Sequence, residues 1–177
     1  ANYQTSMRKV FVDRALDISA CDEIDARFFE ETQKQFANIQ QVVKDLELHP
    51  SMQEGKASVH IEPSFFCEAL GLQGRMDCLV DMFDGKKVLL ELKSGKWDEF
   101  RGRAKDEHLM QMLLYKEILF YNTGQKQSEV IGSLLYSKYP KLQEQRSFQD
   151  IVLRAMTIRN NIVALELGLL QGEARKW

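Results

Sequence analysis

The stretch MDCLVDMFDGKKVLLELK, Met76 to Lys93, constrains the fold more than any other part of the chain. Two apolar runs flank Asp84–Gly85, a dipeptide that favours the tight turn of an antiparallel hairpin because both residues tolerate positive φ. Strands are expected over Arg75 to Phe83 and Lys86 to Lys93. The second carries VLLEL, apolar enough to be central in a sheet. Charged groups are costly in such a strand unless they are paired or bind something. Side chains alternate along a strand, so Glu91 and Lys93 share one face while Leu90 and Leu92 take the other. Counting back across the turn brings Asp77 opposite Glu91 to Lys93.

Two carboxylates and a lysine then meet on one patch. Carboxylates in that position repel unless a cation sits between them. Hard oxygen donors with room for water suit Mg²⁺ or Mn²⁺. A lysine beside the metal can orient a water and offset phosphate charge, so the set suits hydrolysis of a phosphodiester. The plainer reading is a salt bridge from Lys93 to Asp77 or Glu91.

Downstream, DEHLMQMLLYKEIL puts His108, Gln111 and Tyr115 at i, i+3 and i+7 on one face of a helix expected from about Ala104 to Tyr121. Alone, that face reads as a solvated edge with a half-buried tyrosine. Beside the hairpin, Gln111 and Tyr115 can hold the lysine or the scissile phosphate. Between strand and helix lies SGKWDEFRGRAKDE, which reads as a mobile surface loop. Its Lys96, Trp97, Arg101, Arg103 and Lys105 are either a solvated charge run or a clamp on phosphates, with Trp97 stacking on an unpaired base. His108 belongs with this nucleic-acid-binding group.

Elsewhere, Asp22 to Leu48 reads as one or two amphipathic helices, Ala57 to Pro63 as a strand, VIGSLLYS as a fourth strand and Phe148 to Leu170 as a last helix. HPSMQEGK and KYPKLQEQRS read as breaks. The expected fold class is α/β, a central mixed sheet of four strands or slightly more, flanked by helices.

At 177 residues, one domain over 1–177 is the default. A net charge of −2 means that a nucleic-acid partner must be held by a local patch or a metal. No apolar run reaches the ~18 residues of a membrane span. No apolar signal segment is seen, and the missing initiator Met suggests a trimmed or excised domain. Three cysteines, Cys21, Cys67 and Cys78, without CxxC spacing read as reduced and cytoplasmic, and do not make up a four-cysteine iron–sulfur site. Cys78 faces away from its neighbour Asp77 and reads as core. His49 and His60 carry no assignment.

GLQGRMD, then ELKSGK after a hairpin, then EHLMQMLLY, together resemble the PD-(D/E)XK nuclease superfamily. The similarity is strongest to its RecB-like branch, to the nuclease domains of helicase-nucleases and to CRISPR-adaptation exonucleases. The resemblance implies a restriction-endonuclease-like core, with Asp77 and Glu91 as metal ligands, the Leu92 backbone carbonyl completing the shell, and Lys93 as catalytic lysine. Gln111 and Tyr115 match the helical Gln-x-x-x-Tyr signature. The implied reaction is Mg²⁺- or Mn²⁺-dependent cleavage of DNA, commonly at single-stranded ends, in repair or replication, with a helicase domain or subunit as partner.

Two departures stand out. The branch usually carries a His on its N-terminal helix, and none lies between Asp22 and Glu47. Gln40 falls near that place, with Glu30 or Glu31 further upstream, and Glu62 is another carboxylate within reach. Many relatives carry an iron–sulfur staple with three cysteines after the Gln-x-x-x-Tyr helix, and no cysteine follows Tyr115.

Overall fold

The computed structural model describes residues 2–47, 52, 57–145 and 149–171. Within the central hairpin, β4 (Cys78–Asp81) pairs antiparallel with β5 (Lys87–Lys93), Asp81 facing Lys87 and Cys78 facing Leu90. Gly85, at φ +83°, lets the turn close with its N–H on the Met82 carbonyl at 3.1 Å. Strand β4 stops one residue short of Asp77, so that residue sits at the mouth of the hairpin.

The main sheet has five strands in the order β1–β4–β5–β6–β7. Strand β1 (Ser58–Ile61) and β7 (Leu142–Gln145) form its edges, and β6 (Val130–Tyr136) runs parallel to β5. A parallel neighbour needs a crossover, and the helix α4 (Asp106–Thr123) provides most of it. Gly124 ends that helix in the left-handed conformation at φ +70°. This is the mixed, helix-flanked α/β sheet expected from the sequence, with five strands.

The alternation of β5 sorts the core. Leu89 packs with Leu134, Met112, Ile118 and Leu119 on the α4 face. Leu90 and Leu135 pack with Val42, Ile39 and Leu46 of α3 (Ala26–Glu47) on the opposite face. Cys78 joins this second cluster, facing away from the Glu91 side as its place in the strand requires. Asp25 caps α3, its Oδ1 accepting the Phe28 N–H at 2.9 Å.

Several elements depart from the sequence reading. Helices α1 (Tyr3–Asp13) and α2 (Ala15–Ser19) precede α3, and Tyr3 ties α1 to Thr32 at 2.7 Å. A separate hairpin, β2 (Ser64–Cys67) with β3 (Leu72–Arg75), lies between β1 and β4. Strand β7 occupies part of the expected turn region. The last helix, α5, spans Gln149–Leu170, Phe148 lying outside the described residues along with His49. No helix among the described residues is long and apolar enough to cross a membrane.

Candidate functional site

The site forms at the carboxyl ends of the parallel pair β5 and β6, where open α/β sheets commonly bind ligands. Continuing the register one step past Cys78–Leu90 puts Asp77 opposite Glu91. The Asp77 N–H donates to Glu91 Oε1 at 3.1 Å, and the Leu92 N–H donates to Asp77 Oδ2 at 2.7 Å. Each acid is thus held by the backbone of the strand opposite.

A strand residue's N–H and C=O project from the same edge. The Leu92 carbonyl therefore projects towards the Asp77 side of β5. The Lys93 carbonyl projects the other way and accepts the Ser137 N–H at 2.9 Å.

Glu91 is 1% exposed, whereas Asp77 is exposed. Burial pushes the Glu91 carboxyl above its ordinary value. The Lys93 and Asp77 N–H hydrogen bonds draw it back, while the Asp77 charge adds to the rise. Lys93 Nζ donates to Glu91 Oε2 at 3.0 Å and to Gln111 Oε1 at 2.6 Å. Gln111 Nε2 then donates to the Tyr115 hydroxyl at 2.9 Å, which donates to the Arg75 carbonyl at 2.9 Å.

The two ends of this chain set its polarity. An ammonium only donates and a carbonyl only accepts, so the Gln111 amide has one orientation that satisfies both neighbours. Its far end, Arg75, stands two residues before Asp77. One helix thus fixes Lys93 and the strand that leads into Asp77. Burial also raises the Tyr115 phenol, keeping it protonated as the donor this chain requires.

The salt bridge of the plainer reading is present, as a buried Lys93–Glu91 pair on one strand. Apolar residues of similar volume commonly serve stability as well as or better than a buried ion pair.

No family model matches the chain, and no curated protein matches it. Among solved structures, one described as "Crystal structure of SSO0001" aligns over 89% of this chain and 70% of its own, at 13% identity and a TM-score of 0.38. Likeness at that level carries no argument about function.

The donor set suits a hard dication in part. Asp77, Glu91 and the Leu92 carbonyl offer oxygen from neighbouring positions, and Mg²⁺ is commonly held by one or two carboxylates with water in its remaining places. Among the described residues, no group of three or more His, Cys, Asp or Glu is placed to hold a metal. Glu62 is close in backbone, its N–H on the Asp77 carbonyl at 2.9 Å, but its carboxylate pairs with Arg75 at 3.5 Å. On α3, Glu31 pairs with Lys138 at 3.6 Å, while Glu30 and Gln40 are exposed. The face of α3 that carries Val42 meets the sheet on the side away from Glu91.

Within the basic loop, side chains find partners in the protein itself. Trp97 stacks on Tyr139 with ring centroids 3.6 Å apart, and Lys141 lies over its ring at 4.9 Å. Trp97 is thereby engaged within the protein. Lys96 pairs with Glu99, while Arg101 and Arg103 pair with Asp106 at 3.3 Å and 2.7 Å. Such exposed pairs contribute little to stability.

His108 Nδ1 lies 2.9 Å from the Tyr136 hydroxyl, which also accepts the Lys105 N–H at 3.1 Å. Burial, then the nearby Lys93 charge, lowers the His108 imidazole below its ordinary value.

Sequence reasoning passed over Phe100, which is 98% exposed. The signal was one more aromatic in a charged run, three residues after Trp97.

Proposed function

We propose that this chain is a Mg²⁺- or Mn²⁺-dependent deoxyribonuclease of the PD-(D/E)XK type, RecB-like, acting as an exonuclease on single-stranded ends in repair or replication. One observation carries the reading: Asp77 and Glu91 face each other across the hairpin mouth, each hydrogen-bonded to the opposite strand, with Lys93 on the second oxygen of Glu91. Asp77, Glu91 and the Leu92 carbonyl would hold the dication. When bound, the metal supplies an acidified water and charge neutralisation on the phosphate.

The chain's own residues do the rest. Lys93 has three N–H donors, and two are directed at Glu91 and Gln111. The third suits an incoming water or phosphate oxygen. Gln111 and Tyr115 hold the ammonium in place, so little reorganisation is left for the reacting complex. A helicase domain or subunit that delivers single strands is the partner this activity calls for, in the cytoplasm.

A second reading, a nucleic-acid-binding module with little or no catalysis, is favoured by the lack of a third acidic or histidine ligand beside Asp77 and Glu91 among the described residues. Cleavage of an end-labelled single-stranded oligonucleotide in Mn²⁺ separates the two. The nuclease reading expects turnover by the wild type and at least a ~100-fold loss in each of Asp77→Ala, Glu91→Ala and Lys93→Ala. Wild-type binding without turnover establishes the second reading instead.

A further inference from the structure

The segment after Lys93 builds a small hydrogen-bonded finger. Asp98 and Arg103 form an antiparallel bridge, with N–H to carbonyl distances of 3.0 and 3.2 Å in the two directions. Asp98 Oδ1 accepts the Arg101 N–H at 3.0 Å inside the turn, and Gly102 adopts φ +62° to close it. Its root is anchored on both sides, by Trp97 stacked on Tyr139 and by Ala104, which is 2% exposed in the core.

At the tip of this held turn stands Phe100, 98% exposed, the most exposed large apolar side chain among the described residues. A phenylalanine kept in water forgoes the burial that normally stabilises an aromatic ring. Packing within the described chain gives no reason for it. Around it, Lys96, Arg101, Arg103 and Lys105 are matched by Asp98, Glu99, Asp106 and Glu107, and Lys96, Arg101 and Arg103 each pair with an acid of this set at the surface. A bare aromatic face flanked by ammonium and guanidinium groups held only in exposed, weak pairs suits a partner that is flat and anionic, as an unpaired nucleotide is. Chain length alone keeps Asp98 within about 17 Å of Lys93, a span of about five stacked nucleotides.

We propose that Phe100 stacks on an unpaired base of a strand bound across the site, making the 98–103 finger the element that selects single-stranded over duplex nucleic acid. This rests on the nucleic-acid reading above. The stacking surface is Phe100 rather than Trp97, whose ring is already packed.

The test uses a single-stranded oligonucleotide carrying 2-aminopurine, titrated with the protein in Ca²⁺, with anisotropy and base fluorescence read together. The wild type is expected to bind and to quench the probe at one or two positions along the strand. Phe100→Ala and Phe100→Leu should bind roughly tenfold more weakly and lose the quench, while Phe100→Tyr keeps both. Affinity for a blunt duplex should be the same in all four proteins. Melting temperatures should also agree, because the side chain is almost wholly in solvent. Equal single-strand affinity and quench in wild type and Phe100→Ala overturn the proposal alone. A wild type that binds no oligonucleotide overturns both the proposal and the nuclease reading.

Discussion

The Tyr115 ring lies directly over Gly74. A Cβ on that glycine would stand 3.2 Å from ring carbon Cδ1 and 3.4 Å from Cζ, and closer still to Cε1. Gly74 is on β3, one residue before Arg75, whose carbonyl receives the Tyr115 hydroxyl. The absence of a side chain at one position thus lets α4 reach the strand that leads into Asp77.

Gly74→Ala should therefore act on the site although residue 74 touches neither acid. The ring has to move, and with it the anchor of Gln111 and Lys93. Overpacking of this kind costs about 1–3 kcal/mol. Urea unfolding should show that loss, and cleavage should fall by roughly tenfold or more. Tyr115→Phe is the comparison. It keeps the ring and removes the hydroxyl, so it should lower stability by about 1 kcal/mol and cleavage by a similar factor to Gly74→Ala. Full activity in both variants would mean that the Gln111–Tyr115 chain does not position Lys93.

His108 gives the protein an acid-side weakness. Its imidazole is held below the ordinary value of 6.5 by burial and then by the Lys93 charge. An imidazole so depressed binds fewer protons folded than unfolded. The stability linked to it is complete above 6.5 and is lost as pH falls through the depressed folded value. Asp81, held below the usual carboxylate range by Lys87 and His60 against the opposing pull of burial, titrates in a lower window. Unfolding midpoints measured from about pH 8 to about pH 5 should fall in the wild type and fall less in His108→Asn. Identical slopes in the two proteins would remove His108 as the source.

The hairpin was legible because its signals are local. Asp84–Gly85 fixes the turn, and period two then decides which face Glu91 and Lys93 share. The helix bearing Gln111 and Tyr115 was legible for the same reason. What escaped depends on distant partners or short elements. Strands β2 and β3 have four residues each, too few to show alternation, and Asn122 of α4 pins that hairpin through the Phe66 carbonyl at 2.9 Å. Helix α1 carries Tyr3, Met7 and Phe11 at i, i+4 and i+8, all half-buried with the Tyr3 and Phe11 rings against Phe36 and Phe29, a stripe that the sequence reading passed over. The packing of the charged loop was not legible because it rests on Trp97 against Tyr139, a contact across the sheet end that no local spacing reveals. The exposure of Phe100 was hidden in the same way, because it follows from the closed turn around it and not from local spacing.

Direct titration with Mn²⁺, following loss of the free-ion paramagnetic resonance signal, tests the heart of the account without relying on turnover. Asp77→Asn preserves an oxygen for the Leu92 N–H, and Glu91→Gln preserves one for the Asp77 N–H, so each removes charge with little change of shape. A saturable Mn²⁺ site is expected in the wild type, weakening at least about tenfold in either variant. Mn²⁺ affinity unchanged by both substitutions would contradict it.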